Sequence, residues 1–362
     1  MRTEICFFLN GRSRRIRDVA PHTMVLDWLR SENLTAAKEG CAEGDCGACS
    51  ILLGSPGVSG RSLNWRVVTS CIMMLPQLDG LAVVTAEGLG ALVGSQDSLH
   101  PAQRLLAENH GTQCGFCSPG FAVALAALSR KRERDDATIK DMIAGNLCRC
   151  TGYRPILDAA RALPFIEASP EEAAMATNLI ADFAEPLDYR ADGRRFVAPN
   201  SLVSALALLE DHPDAWLLAG GTDLGLRLTK QHEEPACVLS LARVPELGKI
   251  SRSESETVIG AAVSYTDALD AISVLAPSFG DMIRRIGAEQ IRAMGTIGGN
   301  IGNASPIGDT LPPLIALDAI VEIASRQGRR DIPLGDFFTG YRKTALERGE
   351  IITAVRIPKP PL

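Results

Sequence analysis

Histidine and aromatic residues are scarce in this chain. Of 362 residues five are His, and Phe, Trp and Tyr together make up 5%. No nucleophile–base constellation is visible, and none of the five histidines is expected to cluster with carboxylates, so acid–base catalysis on a bound substrate has no evident carrier. Long apolar runs are also missing. Phe121 to Leu128 falls far short of the roughly 20 residues that cross a bilayer, and Ile5 to Leu9 is too short for a secretory core. There is no extended basic stretch. Arg130-Lys131-Arg132 is followed by Glu133, Arg134, Asp135 and Asp136 and reads as a solvated charged loop, while the net charge is −6. A nucleic-acid partner, which needs a basic face, is not expected, nor is a membrane. No internal repeat of fixed period appears. What remains is a cytoplasmic chain of two or three domains, 46% hydrophobic and long enough to bury real cores.

Cysteine, by contrast, is present ten times, and eight of the ten fall into two tight sets. Cys41, Cys46, Cys49 and Cys71 read C-x4-C-x2-C-x21-C, the spacing of plant-type [2Fe–2S] ferredoxins. Gly40, Gly44 and Gly47 let that loop bend and bring backbone N–H groups near the sulfurs, which tunes the redox potential of a bound cluster. The alternative is zinc, although zinc loops usually repeat a C-x2–4-C pair. Cys114, Cys117, Cys148 and Cys150 read C-x2-C-x30-C-x-C, and they are expected at helix starts, where the positive end of the helix favours thiolate. Alone this second set also admits zinc; a thioredoxin-like CxxC lacks the usual strand context. Cys6 and Cys237 lie outside both sets, and Cys6, in an apolar strand, reads as a buried small hydrophobe.

The elements expected early in the chain are a strand at Ile5–Leu9, a tight turn at Asn10-Gly11, a returning strand at Arg14–Val19, and a helix from Met24 to Arg30 capped by Thr23. Strands at Ser50–Leu53, Trp65–Thr69 and Leu81–Thr85 follow. The next stretch reads as helical, with starts at Pro101, Ser118, Thr138 and near Arg154. Residues 166–195 read as a linker, partly helical around Glu171 to Phe183. From Phe196, helices (Ser201–Asp211) alternate with short strands (Trp216–Ala219, Val258–Ala261, Val321–Ala324). In this last region Gly220-Gly221-Thr222-Asp223 follows an apolar strand. Thr296-Ile297-Gly298-Gly299-Asn300 forms a similar loop, with Ser305-Pro306 and Asp309 beyond. Such glycines let a pyrophosphate approach backbone N–H groups. Neither is a GxGxxG, so a Rossmann dinucleotide site is not supported, and each glycine pair alone is a weak signal.

Taken with their neighbours, these motifs are specific. The segments Glu39-Gly40-Cys41-Ala42-Glu43-Gly44-Asp45-Cys46-Gly47-Ala48-Cys49, Gln113-Cys114-Gly115-Phe116-Cys117-Ser118-Pro119-Gly120 and Gly145-Asn146-Leu147-Cys148-Arg149-Cys150-Thr151-Gly152-Tyr153 resemble the iron–sulfur domains of the molybdenum hydroxylases. Their fusion to the Leu217–Leu224 and Thr296–Asn300 loops is similar to the small subunit of the bacterial xanthine dehydrogenases, over essentially the whole chain. That resemblance implies a multidomain α+β fold. A ferredoxin-like β-grasp domain would occupy 1–83, a helical-bundle [2Fe–2S] domain 84–165, a linker 166–195 and an α/β FAD-binding domain 196–362. It implies two [2Fe–2S] clusters and FAD, and a hetero-oligomer with a large molybdopterin-binding subunit. Electrons would pass from molybdenum to the helical-domain cluster, the ferredoxin-like cluster, FAD and NAD, in oxidation of purines or, in a related hydroxylase, of aldehydes or other N-heterocycles.

By the same resemblance Leu217, Leu218, Ala219, Gly220, Gly221, Thr222, Asp223, Leu224, Thr296, Ile297, Gly298, Gly299, Asn300, Asp309 and Ile352 surround FAD. Asp223 and Tyr341 face the approach of NAD, and Gln113 lies near the pterin. Ile286 stands where relatives often carry Phe against the flavin. Relatives also continue into a further small α/β subdomain beyond the position of Pro360-Pro361-Leu362, which implies a truncated or unusual form with an incomplete FAD site.

Overall fold

The computed structural model describes residues 1–57, 60–94 and 98–359; Pro360-Pro361-Leu362 lie outside them. In the first domain β1 (Ile5–Leu9) and β2 (Arg12–Ile16) are joined at Asn10 and Gly11, whose φ values of 51° and 79° make the tight hairpin that Asn-Gly favours. The helix α1 (Val25–Ser31) and strands β3 (Ser50–Pro56), β4 (Leu63–Thr69) and β5 (Ala82–Val84) complete a five-stranded sheet of order β2-β1-β5-β3-β4, in which only β1 and β5 run parallel. Val25, Leu26, Trp28 and Leu29 of α1 are buried with Ile5, Phe7, Leu9, Ile51 and Val68, so the sheet grips one helix through a single apolar face. Thr23 does not cap α1. Met24 occupies the cap position without a side-chain bond, because the Val25 N–H donates to the Met73 carbonyl and Met24 bridges Met74. A contact between distant segments replaces the local cap.

The second domain is a bundle of α2 (Pro101–Glu108), α3 (Ser118–Leu128), α4 (Asp136–Ile143) and α5 (Arg154–Arg161). Every residue from Gly120 to Leu128 is buried, which makes α3 the bundle's central helix. α4 starts two residues before Thr138, because Asp135 caps it by accepting the Thr138 N–H at 2.8 Å.

The stretch that reads as a linker is structured. α6 (Pro170–Ala184), capped by Ser169, presses Ala176 and Leu179 onto the ferredoxin-like sheet. Its Glu172 is 1% exposed, accepts from Trp65 Nε1 at 3.1 Å and pairs with Arg130. Arg130 is therefore not part of a solvated loop: a buried carboxylate draws it in, while Lys131 stays exposed and Arg132 lies over the Phe165 ring.

β6 (Leu187–Ala191) also falls within that stretch and pairs with β7 (Arg194–Ala198), so the sheet of the third domain starts at Leu187. α7 (Leu202–Asp211), β8 (Trp216–Leu218), α8 (Leu224–Thr229) and β9 (Cys237–Ser240) complete a four-stranded sheet of order β6-β7-β9-β8. The other half is an antiparallel sheet of β10 (Ile250–Arg252), β11 (Glu256–Gly260), β12 (Ile320–Ser325), β13 (Gly328–Pro333) and β16 (Ile351–Pro358), in the order β10-β11-β16-β12-β13. Around it lie α9 (Tyr265–Leu275), α10 (Pro277–Ile283), α11 (Glu289–Arg292), α12 (Ile297–Asn303), α13 (Leu311–Ala316), α14 (Leu334–Phe337) and the small hairpin β14 (Phe338–Gly340)/β15 (Lys343–Thr344).

First and third domains are locked together by a buried ionic group. Asp79 takes both Nη atoms of Arg2 at 2.9 and 2.8 Å, Nη2 of Arg243 at 2.7 Å and the Cys6 N–H at 2.7 Å. Cys6 is itself buried, as its strand position suggests. Among the described residues no helix is long and apolar enough to cross a membrane.

Candidate functional site

The first cysteine set lies on the loop between α1 and β3, with Cys71 on a one-turn helix (Ser70–Ile72) directly after β4. Ala42, Gly44 and Gly47 have φ of 53°, 83° and 68°, and this left-handed bending aims three backbone N–H groups at one sulfur. Glu43, Asp45 and Cys46 donate to Cys41 Sγ at 3.5, 3.3 and 3.4 Å. Burial works to raise the Cys41 thiol, but the three donors outweigh it and hold the group below its ordinary value. The Cys49 thiol is lowered to about 7, chiefly by its hydrogen bond with Cys71, whose own thiol that bond and then burial push upward. The four sulfurs thus meet in two pairs, Cys41 with Cys46 and Cys49 with Cys71.

In the second set Cys117 is the N-cap residue of α3, as expected. Cys148 and Cys150 do not sit at the start of α5: a left-handed turn at Gly152 and Tyr153 (φ 67° and 66°) intervenes, and Tyr153 Oη accepts the Cys148 N–H at 2.9 Å. Burial and the Cys148 thiol push Cys117 up to about 12; burial also acts to raise Cys148, but Thr151 lies 3.2 Å from its sulfur and helps to lower it. These thiols also pair, Cys114 with Cys150 and Cys117 with Cys148. Cys114 and Cys150 are exposed, whereas Cys49 and Cys71 are buried.

Among the described residues no three or more His, Cys, Asp or Glu side chains converge as a ready-made site for one metal ion. A single tetrahedral zinc needs four donors about one point. A two-iron cluster takes two thiolates at each iron, and each set supplies two such pairs. The donor sets therefore fit [2Fe–2S] centres better than zinc.

The glycine loops of the third domain meet. Gly220 packs so tightly against Met294 and Gly295 that a Cβ there would lie 1.8 Å from the Met294 carbonyl oxygen, and Gly221 has φ of 85°. Thr296 caps α12 by accepting the Gly299 N–H at 3.0 Å, and the N–H groups of Ile297, Gly298 and Asn300 donate to the carbonyls of Val263, Ala261 and Thr296. Asn300 accepts from Thr310. Ala219, Gly220 and Thr296 line a cleft of about 200 Å³ between the third domain and the ferredoxin-like domain, which contributes Arg66, Gln77 and Asp79. Leu218, Ile297 and Gly298 are buried behind it, and Leu217, Gly221, Thr222 and Leu224 are half-buried. Ile352 is buried in β16 beside Gly302, and Asp309 is exposed near Tyr265. Ile286 packs into the core of the antiparallel sheet, Asp223 is exposed, and Tyr341 stands 77% exposed on the turn between β14 and β15. None of these last five lines the cleft. Gln113 is exposed next to Cys114.

Two features escape the sequence. His22 and His232 line, with Asp27, Glu39, Glu233 and Glu234, a second cleft that reaches Cys71; the two stretches are brought to it by α1 and α8 both packing on the Ser70–Ile72 turn. Lys230, just after α8, donates to the Cys41 carbonyl at 2.6 Å and so fastens the third domain to the first cysteine loop.

Three protein families match the chain in succession. They are described as "2Fe-2S iron-sulfur cluster binding domain" (residues 7–75), "[2Fe-2S] binding domain" (85–161) and "FAD binding domain in molybdopterin dehydrogenase" (189–360). Similar curated proteins include xanthine dehydrogenase 1 of Arabidopsis thaliana (30% identical over 98% of this chain) and aldehyde oxidase 2 of Cavia porcellus (31% over 98%). The chain spans 31% of the length of each. Among solved structures, quinoline 2-oxidoreductase from Pseudomonas putida 86 aligns at 32% identity over 45% of this chain and 58% of that one, with a TM-score of 0.43.

Proposed function

Because this chain belongs to the molybdenum hydroxylase family, carrying its two 2Fe-2S domains and its FAD-binding domain, we propose that it is the electron-transfer unit of a larger oxidoreductase. The observation that carries this reading is a gradient of exposure. The second cysteine set opens to solvent at Cys114 and Cys150, while the first has Cys49 and Cys71 buried and is fastened at the half-buried Cys41 to the FAD-binding domain through Lys230. One end of the chain of centres is thus open to a partner, and the other adjoins the flavin domain.

In this reading Cys41, Cys46, Cys49 and Cys71 hold one [2Fe–2S] cluster, and Cys114, Cys117, Cys148 and Cys150 hold the other. The Leu217–Leu224 and Thr296–Asn300 loops hold FAD, with Asp309 and Ile352 nearby. The cofactors supply one-electron transfer at iron–sulfur and coupling to a two-electron acceptor at the flavin. The protein's part is positional. Backbone donors stabilise the Cys41 thiolate, glycine loops leave room for pyrophosphate, and buried packing excludes water.

The partner is a large molybdopterin-binding subunit seated over the second set, with Gln113 facing it. The acceptor is NAD, approaching past Asp223 and Tyr341, in the cytoplasm. The substrate is a purine, as for the xanthine dehydrogenases the chain resembles. An aldehyde oxidase matches at 31% identity against 30% for a xanthine dehydrogenase, which supports an aldehyde or another N-heterocycle as the second reading.

The test is iron and spectroscopy. The purified protein carries about four irons per chain, and Cys148→Ser reduces this to about two. In that variant NADH still reduces the flavin, while reduction by the partner's substrate is lost. Zinc in place of iron, or equal loss of both reductions, overturns the reading.

A further inference from the structure

Where the two cysteine loops touch, the polar groups of three domains are gathered on one buried amide. Asn146, 1% exposed and two residues before Cys148, donates from Nδ2 to the Gly47 carbonyl at 3.1 Å and to Ser50 Oγ at 3.4 Å. Its Oδ1 accepts from Gln290 Nε2 at 2.8 Å, and Gln290, on α11 of the FAD-binding domain, is also 1% exposed. Immediately beside this junction the Leu147 N–H donates to the Cys46 carbonyl at 3.0 Å. That bond joins the residue before Cys148 directly to a cysteine of the first set.

The approach is as close as backbones allow. A Cβ on Gly47 would lie 2.3 Å from the Gly145 carbonyl oxygen, one on Gly120 would lie 2.3 Å from the Gly47 carbonyl oxygen, and one on Gly145 would meet Gln290 Oε1 at 2.2 Å. α11 grips on either side as well. Arg292, 2% exposed, donates to Asp141 of the helical domain at 2.7 Å, and the Ile291 side chain fills the space over Gly44 in the first cysteine loop.

We propose that Asn146 and Gln290 are positioning residues: the flavin-bearing domain reaches between the two cysteine sets and holds the Leu147 N–H···O=C Cys46 contact closed. Both polar atoms of Asn146 are partnered, whereas the buried Oε1 of Gln290 meets no hydrogen-bond partner; breaking the bond between the two amides leaves a further group unpaired away from water. The inference rests on the iron–sulfur reading for its consequence. One electron crossing this contact oxidises the second cluster and reduces the first, with no proton moved and no bond made or broken. It does not rest on that reading for its geometry.

Gln290→Leu keeps the volume and removes the donor to Asn146; Asn146→Ala removes both donations to the first loop. Amide hydrogen exchange at Leu147 in the full chain reads the contact directly. We expect about tenfold faster exchange in Gln290→Leu and a larger rise in Asn146→Ala, with iron and flavin contents unchanged. In the dithionite-reduced protein the magnetic splitting between the two paramagnetic centres shifts in both variants. Wild-type protection at Leu147 in Gln290→Leu overturns the proposal, and so does altered protection with unaltered splitting. If Asn146→Ala does not fold, Gln290→Leu alone decides. A wild-type protein without iron refutes the electron-transfer reading instead, and Leu147 exchange still tests the junction.

Discussion

Asp79 shows how much of this molecule rests on single residues that nothing in the local sequence marks. Its carboxylate is buried among Arg2, Arg243 and the Cys6 N–H, and those two arginines lie 77 and 164 positions away. Burial by itself pulls the Arg243 guanidinium below its ordinary value, against the attraction of Asp79. Asp79→Asn keeps the shape and removes the buried carboxylate that both arginines share, leaving Arg2 with the more exposed Asp182 and Glu185. We expect a loss of about 3–5 kcal/mol, read as an earlier midpoint in urea denaturation, because one partner of a buried ionic group then stands uncompensated. A loss below about 1 kcal/mol would mean that the pair behaves as an exposed one. The cysteines are the opposite case. Their ligand pattern is written within short loops and needs no fold to be read, so all eight candidate positions are visible in the sequence. Asn146 lies inside a legible motif, but its roles toward Gly47 and Gln290 appear only once three domains are assembled.

Elements were legible where local chemistry decides them. Pro101 after His100 starts α2 as expected, and Ser201 caps α7. They were not legible where a distant strand competes, as at Thr23, or where a polar stretch finds a surface to cover, as in α6. An ion pair that reaches across β12, from β13 to the start of β16, gives a further element-scale test. Glu350, just before β16, accepts Arg330 Nε at 2.6 Å, Nη2 at 2.7 Å and the Glu347 N–H at 2.7 Å. The Arg330 hydrogen bonds, above all, hold its carboxyl below the usual glutamate value. A carboxyl with a depressed folded pKa stabilises the fold above its unfolded pKa of about 4.3, and that contribution is lost as pH falls through the folded value. Glu350→Gln should therefore melt below wild type at pH 7, with the gap closing progressively below about pH 4.3. A gap in Tm that is the same at pH 7 and pH 3 would assign the effect to shape rather than charge.

At the scale of the whole molecule, the thiols are most exposed in the helical domain and most buried in the first domain. The first domain is central: α6 covers one part of its sheet, α11 packs against β4, and the Asp79 group and Lys230 fix it to the FAD-binding domain. The helical domain is left with its cysteine loops outward. There Phe116 is 46% and Leu147 54% exposed, beside exposed Cys114 and Cys150. Large apolar side chains of this kind, next to a candidate electron-carrying centre, suit a protein partner better than water. Phe116 sits between two candidate ligands, yet its own ring is largely outside the core. Phe116→Glu places a charge where an apolar contact is expected, and a buried unpaired charge at the centre of an interface is among the costliest changes an assembly can receive. Affinity for the proposed molybdenum-bearing partner should fall by at least about tenfold by sedimentation or co-purification. Iron per chain and flavin content should hold at wild-type levels, which separates lost docking from a lost cluster. Full assembly with the charge in place would put the partner's footprint elsewhere and leave the open face of the second cysteine set without a role in docking.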